Sequence, residues 1–180
     1  MAEVKEEDLR LIKEWRRPSI GLLVDVNKDT LKGLCEKGMI VVFCGDADHS
    51  PDFCDHLMRK LGCDHRPHLH AMNGGALRLV REAPIPKKYR INKQFVNELL
   101  FSQSAKKIST LILSVHYPCG MAEESHIDLR STVYYCLRAV KTMADRGWHK
   151  KRIVPLIHVF DGQKEKTYFI EKEKRDLIFT

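Results

Sequence analysis

Two short apolar runs, Met39-Ile40-Val41-Val42-Phe43 and Leu111-Ile112-Leu113-Ser114-Val115, constrain this chain more than anything else in it. Neither shows the polar–apolar alternation of a half-solvated strand. Continuous runs of this length read as strands buried on both faces, as in a parallel sheet covered by helices. Each run delivers a residue with a metal-binding head group at its carboxyl end. Cys44 directly follows the first, and His116 directly follows the second with Cys119 close behind. In an open parallel sheet the carboxyl ends of the strands line the crevice where ligands bind, so segments far apart in sequence converge there.

The rest of the chain supplies the helices such a sheet needs. Lys5 to Trp15 is a charged amphipathic segment with Leu9, Ile12 and Trp15 on one face, and Pro18 ends it. Asn27 to Glu36 reads as a second helix, stopped by Gly38. Ser50 is a good N-cap and Pro51 a good first helical residue, which predicts a helix over Pro51 to Leu61 that stops at Gly62. His68 to Ala71 reads as a strand. Asn92 to Ser104 carries Phe95, Leu99 and Leu100 at helical spacing. Leu129 to Arg146 carries Val133, Leu137 and Val140 at core-facing intervals before Gly147, and Ile153 to Phe160 restarts a strand. Alternation of this kind is the βαβ order of an α/β fold with a mainly parallel central sheet flanked by helices.

Thiolate sulfur and imidazole nitrogen bind zinc well, and a catalytic zinc site typically keeps three protein ligands and an open fourth position. Cys44, His116 and Cys119 make up such a set. The His-x-x-Cys spacing lets one loop present two groups to one ion, and Pro118 with Gly120 gives that loop turn chemistry. Taken singly, each cysteine also fits a buried thiol behaving as a small hydrophobe.

Three segments taken in order resemble the β-class carbonic anhydrases. The family's Cys-x-Asp-x-Arg appears here as Cys44, Gly45, Asp46, Ala47, Asp48; its Arg-Asn-Ala-Gly as Met72, Asn73, Gly74, Gly75; and its His-x-x-Cys-Gly as His116, Tyr117, Pro118, Cys119, Gly120. The closing strand, the Asp161-Gly162 turn and a paired strand over Thr167 to Ile170 match the family's tail, so the resemblance runs from about residue 38 to 170. It implies a single β-carbonic-anhydrase-like domain over 1–180, with 1–37 as an N-terminal helical arm that embraces a neighbour in a homodimer or larger homo-oligomer. It also implies a zinc-dependent lyase, in which hydroxide generated at zinc hydrates carbon dioxide to bicarbonate, with Cys44, His116 and Cys119 as ligands and Asp46 as the catalytic carboxylate. Related folds with the same ligands hydrolyse carbonyl sulfide or carbon disulfide.

The departures from the family pattern are specific. Where the family has an arginine that pairs with the aspartate and holds it off the metal, this chain has Asp48. Two carboxylates disfavour each other's ionised forms, whereas a nearby cation favours them. Asp46 therefore either binds zinc directly and closes the site, giving a non-catalytic zinc-binding protein, or is held by another cation, with Arg66, Arg78 and Arg81 as candidates. Met72 replaces a second family arginine. The Asn-Gly-Gly beside it retains a backbone that allows close approach of a neighbouring segment, and it also fits an ordinary tight turn.

Composition narrows the remaining classes. A chain of 180 residues fits one domain, and 43% hydrophobic residues suffice for a core. Cys35, Cys54, Cys63 and Cys136 read as buried thiols rather than a disulfide framework, which belongs to small secreted domains. No apolar leader or run long enough to span a membrane is present, so a cytoplasmic location is expected. The formal charge of +7 is scattered over separate pairs such as Arg16-Arg17 and Lys106-Lys107, without a recognisable nucleic-acid module. No nucleic-acid or membrane partner is expected. His65, His68 and His70 have ligand-like spacing, but strand alternation puts only His68 and His70 on one face. His49 and His126 are proton-shuttle candidates by their closeness in sequence to the ligand loops.

Overall fold

The computed structural model describes residues 4–27, 38–46, 50–57, 67–86, 88, 93–149, 152–160 and 164–179. The first helix, α1 (Glu6–Trp15), has Glu6, Glu7 and Asp8 in its first turn, where carboxylates meet the positive end of the helix dipole. Its Ile12 and Trp15 are buried in the main core of the chain's own sheet, while Leu9 is half-buried. The face of the expected arm is thus already covered by its own chain. The guanidinium of Arg130 adds a contact over the Trp15 ring at 5.9 Å.

Six strands follow the order β1-β6-β5-β4-β2-β3, with β1 at Leu23–Asp25, β2 at Met39–Phe43, β3 at His68–Ala71, β4 at Thr110–Tyr117, β5 at Ile153–Phe160 and β6 at Glu165–Ile170. The β5, β4, β2 and β3 neighbours are parallel, whereas β6 is antiparallel to both β5 and β1. Every residue of β2 is buried, as are Thr110 to His116 of β4, which is why these strands carry unbroken apolar runs. Strand β1 was not legible in the sequence: it is three residues long and exists through its pairing with Phe169 and its neighbours.

Helices cover both faces. On one side lie α1, α5 (Leu129–Asp145) and the 3-10 helix Gly75–Leu79; α5 buries Leu129, Val133, Cys136, Val140 and Met143. Burial of each such large aliphatic side chain contributes ~1.5–3 kcal/mol. Asp128 caps α5 by accepting from the Ser131 amide. On the other side α2 (Ser50–Asp55) packs Phe53 against Phe43, Ile112 and Leu156. Helix α3 (Lys93–Lys106) buries Val96 and Leu99, and the short α4 (Gly120–Glu124) follows β4. The expected helix over 27–36 falls largely outside the described residues, as do residues 58–62 of the helix expected to end at Gly62. Among the described residues no helix is long and apolar enough to cross a membrane.

Candidate metal centre

The site stands where the chain's path through the sheet divides. From β2 the chain goes to its neighbour β3 on one side, then returns past β2 to form β4 on the other. The crevice between the carboxyl ends of β2 and β4 lies at this switch, the place where open α/β sheets bind ligands. The register runs from Met39↔Thr110 to Val42↔Leu113, so Cys44 leaves β2 beside the end of β4 that carries His116. Cys119 arrives from the same loop as the N-cap residue of α4.

The three expected ligands converge. Ligand atoms of Cys44, His116 and Cys119 all lie within 4.8 Å of one another, and all three residues are buried, at 8%, 4% and 4% exposure. Backbone amides serve both sulfurs. The Gly74 N–H donates to Cys44 Sγ at 3.1 Å, and the amides of Met121 and Ala122 face the Cys119 sulfur. Two glycines make the first approach possible. Gly74 and Gly75 have φ of +85° and +50°, and a Cβ on Gly75 would stand 2.5 Å from the Ser114 carbonyl oxygen and 3.0 Å from the Cys44 nitrogen. The Asn-Gly-Gly segment is therefore a close-approach device and not only a turn.

The two sulfurs share a proton unequally. Cys44 is held well below the ordinary thiol range by the hydrogen bond from the Cys119 thiol, against the opposing effect of burial, with His116 and the Gly74 amide adding to the pull. Cys119 is pushed up because it is the donor in that bond and because it is buried beside the Cys44 charge. The resulting set is two sulfurs and an imidazole, placed in a small buried volume with N–H groups turned toward sulfur. These are the donors zinc selects, and they match a three-ligand site in number and kind.

Asp46 adjoins the triad: its Oδ2 lies 3.9 Å from His116 Nε2, and its side chain is 32% exposed. Ser50 does not cap α2 as expected. Its amide donates to the Asp46 carbonyl oxygen four residues back, and its hydroxyl reaches the carbonyl oxygens of Asp46 and, at 3.0 Å, Cys44. These bonds tie α2 to the ligand turn over 44–46.

Among the other residues singled out in the sequence, Arg78 lies beside Gly74 and Arg81 is exposed on the following turn. Asp48, His49, Arg66, His65, Cys35 and Cys63 lie outside the described residues. Cys54 is half-buried, and Cys136 is fully buried with its thiol facing the Leu113 and Leu156 carbonyls. His126 is exposed after α4 at φ 54°. His68 and His70 do share a face of β3, with ring centroids 4.7 Å apart.

Sequence reasoning missed His158. It is the β5 partner of His116 in the strand register, 1% exposed, and it hydrogen-bonds with Thr167 Oγ1 through Nδ1 at 2.9 Å while Nε2 lies 3.0 Å from Glu165 Oε2. The available signal was a histidine near the carboxyl end of the third parallel run. With Phe43, Cys44, Phe53, Val115 and His116 it lines a cavity of ≈ 10 Å³, measured for the centre of a water-sized sphere, which is room for about one water.

No protein-family model matches the chain, and no curated protein matches it. Among solved structures, β-carbonic anhydrase isoform I from the protozoan Trichomonas vaginalis is similar over 93% of this chain and 99% of its own, at 12% identity and a TM-score of 0.48. A carbonic anhydrase from Streptococcus mutans is similar over 92% of this chain and 99% of its own, at 11% identity and a TM-score of 0.44. Both of these similar structures are carbonic anhydrases.

Proposed function

We propose that this protein is a divergent, zinc-dependent member of the β-carbonic-anhydrase type that hydrates carbon dioxide to bicarbonate. The observation that carries the reading is the buried convergence of Cys44, His116 and Cys119 at the switch point of the sheet. Cys44 and Cys119 would hold the ion through sulfur and His116 through its imidazole. A bound zinc supplies Lewis acidity, lowering the pKa of a water to about 7. Phe43, Phe53 and Val115 put apolar surface beside Cys44 and His116. Asp46, beside the imidazole, would accept a hydrogen bond from a hydroxyl held next to His116 and so orient it toward the reacting carbon. As in the family resemblance, the proposal includes a homo-oligomer, a cytoplasmic setting and no nucleic-acid or membrane partner.

The closeness of Asp46 to the triad favours a second reading, in which its carboxylate completes the ligand set and the protein binds zinc without turnover. The two are separated by measuring zinc content and carbon dioxide hydration on one preparation across pH, for the native chain, Asp46→Ala and Asp48→Arg. The lyase reading expects stoichiometric zinc, native activity, and a gain when Asp48 becomes arginine. Zinc without activity at any pH supports the closed site, and absence of zinc removes both.

A further inference from the structure

We propose that the N-terminal helix positions the metal loop, through a single hydrogen bond between Asp8 and Tyr117. The inference rests on the metal reading above and adds to it a role for a helix remote from the ligands in sequence. Tyr117 is the last residue of β4 and stands between the two ligands of the loop, His116 and Cys119. Its hydroxyl donates to Asp8 Oδ2 at 2.9 Å. Asp8 is only 8% exposed, although it lies in the first turn of a helix whose neighbours Glu6 and Glu7 are exposed. Asp8 and Tyr117 line one groove with Lys5 and Arg10, and a carboxylate partly withdrawn from water there needs a hydrogen-bond partner. The phenol supplies that partner.

The arrangement constrains the loop because successive residues of a strand point to opposite faces. His116 lies on the side of Ile112 and the metal cavity, while Tyr117 lies on the side of Leu113, Val115 and α1. Fixing the phenol on one face sets the rotation of the strand end, and with it the aim of the imidazole on the other. It also fixes where the chain departs toward Cys119. The anchor is itself held firmly, since Ile12 and Trp15 seat α1 in the core and Arg130 closes over Trp15. Asp8 is thus a positioning residue acting through Tyr117, without contact with the ion.

The test compares Tyr117→Phe, Asp8→Ala, Asp8→Asn and the double variant Asp8→Ala/Tyr117→Phe with the native chain. Zinc affinity is measured by competition with a chromophoric chelator, and coordination geometry by the visible and thiolate charge-transfer spectrum of the cobalt-substituted protein. Tyr117→Phe and Asp8→Ala should each weaken zinc by roughly 10-fold, in the range found for partners that orient metal ligands. The double variant should be no weaker than either single one, because one bond is lost in all three. Asp8→Asn keeps an acceptor and should stay near the native affinity and cobalt spectrum. Val140→Ala, which leaves a core cavity in α5, controls for general loss of stability and should leave both readouts unchanged.

Unchanged zinc affinity in Tyr117→Phe and Asp8→Ala, multiplying effects in the double variant, or equal weakening by Val140→Ala would overturn the role of the helix while leaving the metal site standing. A native chain that takes up neither zinc nor cobalt would overturn both.

Discussion

Two groups of ligand-type side chains look alike in the sequence and differ in the structure. Cys44, His116 and Cys119 sit at the centre of the sheet, on strands that are neighbours only because the chain doubles back past β2. His68 and His70 sit on β3, the edge strand, with short spacing and a shared face. The central group is surrounded by backbone N–H donors turned to sulfur, an environment for anionic ligands. In the edge group His68 is already engaged, with Ser102 Oγ hydrogen-bonded to its Nε2 at 3.2 Å and the Lys106 ammonium at its Nδ1 at 2.9 Å, while His70 stands edge-on to the Phe95 ring. A fixed ammonium at the imidazole takes the lone pair a metal would need and repels a second cation. Residue type and spacing propose a metal site; convergence and local charge select it.

The largest expected difference between the two regions is in metal binding itself. Cys44→Ala and His116→Ala should each abolish stoichiometric zinc, whereas His68→Ala and His70→Ala should retain it, as measured by elemental analysis after dialysis. Zinc lost with either β3 histidine would break the contrast.

A smaller effect probes why the central region can approach so closely. Gly75→Ala places a methyl against the Ser114 carbonyl at a left-handed φ, and should destabilise the fold by ~2 kcal/mol or more, seen as a lower urea midpoint. Gly120 serves as the comparison, since a Cβ there meets nothing within 4 Å. Gly120→Ala in α4 should therefore be neutral or stabilising by up to ~1 kcal/mol. Equal losses at the two glycines would deny the close approach its importance.

The smallest effect concerns the edge group alone. His68 titrates below the ordinary imidazole value because burial penalises its charged form and because Lys106 repels it. In Lys106→Ala the second cause is gone and the first remains, so the His68 pKa should rise partway toward its ordinary value in an NMR titration. A fall, or no movement, would remove Lys106 from the explanation.

Much of this architecture was legible because its signals are local. The unbroken runs at β2, β4 and β5, the helical spacing of Val133, Leu137 and Val140, and Gly147 after α5 each depend on a few consecutive residues. The triad was legible too, since parallel strands bring their carboxyl ends together whatever the length of chain between them. The illegible parts depend on pairings made by the fold. Leu23–Asp25 becomes a strand only against β6, His158 reaches the cavity only as the register partner of His116, and Asp8 becomes buried only where Tyr117 meets it. Ser50 shows a subtler limit. Its place in α2 is legible from residue type, but its hydroxyl answers the Cys44 and Asp46 carbonyls and not the helix amides.

The division of the triad between β2 and the β4 loop has a thermodynamic consequence. No short peptide from this chain contains all three groups, so a complete set of donors is a property of the assembled sheet. An ion that requires all three is bound by the native state and not by the unfolded chain, and its concentration then enters the folding equilibrium as a linked variable. Supply of such an ion would add to the stability of the folded chain, in addition to setting how much of it is loaded.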